Sequence, residues 1–191
     1  MEAKEVLFGR RSVRKYKTDP IPREVLTEIL DAACHAPSAI NLQHWYFAVI
    51  ESPEKMAELK EVMKRVSDKF HPVLAERFKN NPETIRETET FLSGLGHAPV
   101  CILAFFLKPD YPERDVAMQS VSAALENLLL AAWDSGVGGC WISAPIHAGV
   151  GPELQEKFAP GHGEFVAAMT LGYPEIIPKK PPRRDGRYTI L

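Results

Sequence analysis

The feature that most constrains this chain is a stretch with almost no polar face. Between Ala123 and Trp133 only Glu126 and Asn127 are polar, inside the longer run VAMQSVSAALENLLLAAWDSG that ends at Gly136. A surface helix carries one apolar stripe, whereas a helix apolar nearly all round must be covered on most faces. This one belongs either in the core of its domain or against a second subunit. The rest of the chain supplies what could cover it. PVCILAFFL (Pro99–Leu107) and WYFAVIE (Trp45–Glu51) are compact aromatic and β-branched runs that predict buried strands. GGCWIS and EFVAAMTLGYP, the latter stopping at Pro174, predict a third and a fourth. Pro22–Ala36 predicts a helix, with Val25, Leu26, Ile29, Leu30 and Ala33 on one stripe and Pro37 ending it. Charged, helix-favouring sequence from Pro53 to Ser93 predicts two or three helices broken by Pro72 and Pro82. A turn over KPDYPERD and a short helix over VGPELQEKF complete the set. Strands and helices alternate without a strict βαβ rhythm, so the expected fold is an α+β sandwich.

Composition removes several function classes. With 191 residues the chain suits one domain, and 23 Lys plus Arg against 25 Asp plus Glu leave a net charge of −2. A general nucleic-acid binder would need a broad basic surface instead. No apolar run approaches the roughly 20 residues of a membrane helix. The opening MEAKEVLFGR lacks the apolar core of a signal peptide, so a cytoplasmic protein is expected. Cys34, Cys101 and Cys140 have apolar neighbours and no C-x-x-C pairing, which predicts reduced, buried thiols. The histidines are scattered without H-x-x-x-H spacing, so no metal site is expected.

Three segments carry chemistry. GRRSVRKY (Gly9–Tyr16) gathers Arg10, Arg11, Arg14 and Lys15 around Ser12. Alone, it reads as a solvated basic turn or as a cradle for one phosphate, whose oxygens match the planar arginine fork. APSAINLQHW (Ala36–Trp45) places the amides of Asn41 and Gln43 one residue apart. Amides donate and accept, which suits a heterocycle's edge, although plain turn chemistry explains the segment equally. GVGGCWISAP holds Gly136, Gly138 and Gly139, which permit close backbone approach to a ligand or, at Gly136, a helix C-cap. Its glycine spacing is not that of a dinucleotide fingerprint. The tail from Glu175 to Leu191 carries KKPPRRDGR and closes on the strand-like RYTIL.

Taken in order, R-R-S-x-R, A-P-S-x-x-N-x-Q-x-W, G-x-G-x-C-W-I and L-G-Y-P with a proline–arginine tail resemble the FMN-dependent nitroreductase family over almost the whole chain. The resemblance implies an α/β/α sandwich with a central, mostly antiparallel sheet, in an intertwined homodimer whose two active sites each draw on both chains. Residues 1–174 would form the FMN-binding domain, and residues 175–191 would wrap onto the partner subunit, with RYTIL as an added edge strand.

The resemblance also implies roles. Arg10 and Ser12 would contact the phosphate of a non-covalent FMN, with Arg11 contributing mainly backbone, and Arg183 or Arg184 would complete the anion site. Arg14 would reach the pyrimidine side of the flavin, where a cation favours the charge that hydride leaves around N1 and O2. Pro37, Ser38, Ala39, Asn41 and, more distantly, Gln43 would come from the other subunit to line the ring and ribityl chain. Ser143 and Ala144 would present backbone amides to the ring. Two departures stand out: His44 replaces the usual proline after Gln43, and FLSGLGHAP lacks the Asn and Lys that some members carry before the second strand.

The expected activity is hydride transfer from NADH or NADPH through flavin N5 to a nitroaromatic, quinone or similar acceptor, by alternating half-reactions. No protein residue need serve as catalytic acid or base. Alternatives are a specialised member (reductive dehalogenase, flavin-fragmenting or enoate-type reductase), a non-catalytic flavin store or sensor, and an anion- or RNA-binding module.

Overall fold

The structure, a computed structural model, describes residues 1–108 and 111–191. Four strands form one sheet: β1 (Trp45–Ile50), β2 (Val100–Phe106), β3 (Gly138–Ile142) and β4 (Glu164–Gly172), in the order β1-β2-β4-β3, every pair antiparallel. All four lie where the sequence placed them. Every residue of β2 is buried, as a central strand covered on both faces requires.

Alternation along β2 feeds two separate cores. Val100, Ile102, Ala104 and Phe106 face α2 (Arg23–Cys34) and α5 (Arg114–Asp134), packing with Leu26, Ile29, Val121, Leu125 and Leu128. Cys101, Leu103 and Phe105 face the opposite layer, with Leu59, Met63 and Val66 of α3 (Pro53–Arg77) and Phe91 of α4 (Pro82–Gly94). The three-layer sandwich is therefore real. The apolar helix is α5, and its two sides differ. Ala124, Leu125, Leu128 and Ala132 are sealed in the core, while Ala123, Glu126, Asn127, Leu130 and Ala131 are only half-buried.

Pro72 corrects one expectation, because α3 runs straight through it and only two helices occupy Pro53–Gly94. Pro72 and Asp68 both lie on the exposed side, so the Asp68 carbonyl deprived of an N–H partner can be hydrated. Val66 and Leu74, both buried, carry the helix across the interruption. Two short helices escaped the sequence reading: α1 (Ala3–Gly9) and α6 (Ala144–His147), the latter just before α7 (Gly151–Phe158). Of the turn expected over KPDYPERD, Pro109 and Asp110 lie outside the described residues, and α5 begins within it at Arg114. Cys34 is exposed at the last position of α2, contrary to expectation, because the stripe that buries Ala33 turns its neighbour outward. Among the described residues no helix is long and apolar enough to cross a membrane, and no cluster of potential metal ligands occurs.

Candidate functional site

The basic segment leaves α1 and lies along the outer edge of β3. Ser12 bridges Gly139 in parallel sense, and the Val13 amide donates to the Gly139 carbonyl at 3.0 Å. The four cations then divide. Arg10 sits 3.4 Å from a carboxylate oxygen of Glu126 on α5. Arg11 turns back, donating to the Phe8, Gly9 and Arg10 carbonyls at 2.9, 2.6 and 2.7 Å, so it caps α1 where cations suit the helix dipole. Arg14 is exposed, its guanidinium 5.8 Å from the centroid of the Phe91 ring, and among the described residues it has no carboxylate partner. Lys15 is exposed as well.

Beneath the arginines the segment is pinned. Tyr16 is 2% exposed, and its hydroxyl donates to the Val13 carbonyl at 2.5 Å while meeting Thr170 Oγ1 at 2.8 Å. Burial pushes the phenol well above its usual pKa, so it remains a donor. Thr170 occupies the sheet position between Cys101 and Cys140, in register with both. Two strand spacings, roughly 10 Å, separate those cysteines, too far for a disulfide. Burial raises both thiols, that of Cys101 to about 12, so neither is a nucleophile at neutral pH.

The glycines before and within β3 serve the chain itself. A Cβ at Gly138 would lie 2.6 Å from Val13 Cγ2, and one at Gly139 would lie 2.6 Å from Leu129 Cδ2. Their close approach is therefore to the basic segment and to α5. Gly136, at φ +75°, is the left-handed residue that follows the α5 C-cap.

The loop after α2 docks at a different place on α5. The Ala39 amide donates to Ser120 Oγ at 3.1 Å, Ser38 Oγ accepts from the Gln43 amide at 3.2 Å, and Gln43 donates to Asn41 Oδ1 at 2.7 Å. Ser120 and Glu126 stand about 9 Å apart along the helix axis. Within one chain, then, Pro37, Ser38, Ala39, Asn41 and Gln43 form a unit distinct from the arginine cluster. Ile40, Asn41 and Gln43 all have positive φ (40°, 59° and 49°), and Ile40 is 85% exposed. A β-branched residue held there is strained, a condition that clusters at functional sites. Ser143 is exposed just after β3 and Ala144 is buried at the start of α6, so both directly follow the strand that carries the basic segment. Arg183 and Arg184 are exposed on the tail, whose Lys180 ammonium lies 5.7 Å from the Phe8 ring centroid, bringing the tail beside α1.

Two features that the sequence marked only as departures from the family pattern take on structural roles. The turn Leu95–His97 has three consecutive left-handed residues (φ 55°, 62° and 64°), and its Gly96 carbonyl accepts from the Tyr16 amide at 3.0 Å. The GLGH sequence marks a turn, but nothing in it names Arg14 as the neighbour. His44 is the second. It is 5% exposed, edge-on to Tyr111 at 5.3 Å between centroids, and its Nδ1 has no partner among the described residues. Burial, and secondarily Lys108, hold its pKa below the usual 6.5. Folding thus favours the neutral ring, and the associated stability is lost as pH falls below 6.5, where the unfolded chain takes up the proton first. Thermal melts at neutral pH and near pH 5.5 are expected to show a smaller acid-induced loss for His44→Phe than for the unaltered protein.

Three layers around an antiparallel sheet, with a pinned arginine segment on one sheet edge and a strained amide-bearing loop elsewhere, define a mixed α+β sandwich. Residues 7–173 match the sequence profile of the Nitroreductase family, and the chain belongs to that family of oxidoreductases. YodC of Bacillus subtilis, whose name places it with the NAD(P)H nitroreductases, is 56% identical over 97% of this chain and 94% of its own. A nitroreductase with bound FMN from Bacteroides fragilis superposes with a TM-score of 0.76 at 27% identity, covering 100% of this chain and 99% of the other. An iodotyrosine deiodinase from Thermotoga neapolitana is 28% identical over 92% of this chain and 90% of its own.

Proposed function

We propose that this chain is an FMN-dependent oxidoreductase that takes hydride from NADH or NADPH and passes it to a nitroaromatic, quinone or similar small acceptor. The observation that carries the reading is the division of labour in the basic segment. Arg11 is satisfied internally, while Arg14 has no acidic partner among the described residues and Arg10 has only a 3.4 Å contact with Glu126. The Ser12 hydroxyl, which makes no hydrogen bond among the described residues, adds a neutral donor. Arg10 and Ser12 together fit a phosphate, and Arg14 is a cation left over for a second anionic part of the same ligand.

FMN would supply the redox chemistry, accepting and releasing hydride at N5. The chain's own residues bind, orient and polarise. Arg10 and Ser12 would hold the phosphate, with the Arg11 backbone beside them and Arg183 or Arg184 closing the anion site from the tail. Arg14 would offer its charge to the pyrimidine edge, and the Ser143 and Ala144 amides would orient the ring. Pro37, Ser38, Ala39, Asn41 and Gln43 would reach the site from a second copy, in keeping with their separate place on α5. Residues 1–174 would then be the cofactor-binding domain. Residues 175–191 would wrap onto the partner, with RYTIL extending its sheet at the outer edge of β1, where no strand pairs among the described residues. The well-separated Cys101 and Cys140 thiols fit a reducing, cytoplasmic setting.

Purified protein is expected to be yellow or to become so with FMN, and anaerobic NADH or NADPH should bleach it. A preparation that takes up no FMN overturns the proposal, and yellow protein that neither nucleotide bleaches favours a flavin store. Arg10→Ala should weaken FMN binding about tenfold or more, as expected for a lost charge-assisted hydrogen bond, with the oligomeric state unchanged. The deiodinase relative favours one second reading, a reductive dehalogenase. Halogenated phenols reoxidising the bleached enzyme faster than nitroaromatics or quinones would establish it.

A further inference from the structure

Arg14 is the most exposed arginine of the segment between Gly9 and Tyr16, yet its root is among the most firmly held parts of the chain. Val13 is fully buried and Tyr16 is 2% exposed, so only residues 14 and 15 project outward between two anchors. The Val13 amide is tied to Gly139 at 3.0 Å, the Tyr16 amide to Gly96 at 3.0 Å, and the Lys15 carbonyl accepts from the Glu175 amide at 3.0 Å. The Tyr16 hydroxyl closes the loop by donating to the Val13 carbonyl, and Thr170 Oγ1 donates in turn to the phenol oxygen. On the other side the Arg14 carbonyl packs against Gly96, where a Cβ would come within 2.2 Å of it. The Phe91 ring lies under the guanidinium.

We infer that Tyr16 is a positioning residue for the cofactor site: its buried hydroxyl, backed by Thr170, fixes the Val13–Tyr16 arch so that Arg14 presents its cation in one place. The physical advantage is preorganisation. A charged group held rigid before the ligand arrives loses less freedom on binding, and its field acts on the ligand without reorganisation. A flexible arginine at the same place would carry the same charge with less effect. This rests on the FMN reading above, and it concerns Tyr16, a residue that touches no ligand in that reading.

The test is a double-mutant cycle on the full-length protein, read as FMN dissociation constants from flavin fluorescence, with Tyr16→Phe and Arg14→Ala. Tyr16→Phe keeps the ring and removes the hydroxyl, and should raise the dissociation constant about fivefold, the scale of one buried hydrogen bond. In the Arg14→Ala background the same change should have less than about a twofold effect, because the group being positioned is gone. Thr170→Val should follow Tyr16→Phe in both backgrounds. Equal losses with and without Arg14 would mean that the hydroxyl serves only the fold and would overturn the inference, as would an unchanged constant in Tyr16→Phe. If FMN does not bind the unaltered protein, the proposed function itself fails. If FMN binds but Arg14→Ala leaves its affinity unchanged, the function stands and the positioning role falls.

Discussion

Gly96→Ala is expected to lower stability by about 3 kcal/mol, a drop of roughly 10 °C in Tm for a chain of this length. Two penalties combine. Gly96 has φ +62°, where any L side chain is strained, and its Cβ would stand 2.2 Å from the Arg14 carbonyl oxygen and 2.9 Å from the carbonyl carbon. These are backbone atoms, so a rotamer change cannot relieve the clash. Either the Leu95–His97 turn or the arginine segment must move. Movement of the segment displaces Arg14 and weakens the Tyr16 amide bond to the Gly96 carbonyl. The variant should therefore lose FMN affinity along with stability. Gly94, two residues earlier, provides the contrast: a Cβ there meets nothing within 4 Å, and its φ of −101° suits any residue. At this helix-terminal position Gly94→Ala should be neutral or stabilising by up to about 1 kcal/mol. Thermal denaturation of the two variants side by side checks both, and similar melting temperatures would refute the packing account of Gly96.

If the proposed dimer forms, removing Arg187–Leu191 is expected to leave the folded subunit intact while weakening self-association more than a hundredfold. Within its own chain this segment forms no strand, and Tyr188 and Ile190 are 87% and 91% exposed. Its loss therefore removes almost nothing from the subunit's core. If RYTIL extends the partner's sheet, each copy buries an isoleucine and a leucine across the interface, and each apolar side chain so buried contributes about 1.5 kcal/mol or more. A symmetric dimer buries four such side chains, about 6 kcal/mol, and even half of that corresponds to over two orders of magnitude in the dissociation constant. Analytical ultracentrifugation across a concentration series measures the effect, with circular dichroism confirming that secondary structure is unchanged. A dimer of undiminished affinity would show that the tail lies elsewhere.

Much of the fold was legible in the residues. Val100–Phe106 could only be a doubly covered strand, and the long helix could only be buried, because a continuous apolar run has no solvent-compatible face. Pro72 was misread because proline's penalty depends on where the orphaned carbonyl points, which local sequence does not record. The candidate site was legible in its parts and in its order, through motifs that resemble a known family. Its internal assignments were less so. The residues alone show four cations around Ser12 and only the resemblance separates their roles, whereas the structure turns Arg11 back onto α1, sets Arg10 beside Glu126 and leaves Arg14 standing over Phe91.

By itself, then, the sequence determined the layers and the family. Apolar periodicity and turn residues are local properties, and a motif is a string that can be matched without knowing its shape. The tertiary structure alone decided which residues hold the motif in place. Tyr16 and Thr170 lie 154 positions apart and meet at 2.8 Å, while Gly96 accommodates a carbonyl from a residue far earlier in the chain. Such pairs arise from strand register and helix packing, which depend on the whole chain at once, so no single stretch of residues could disclose them.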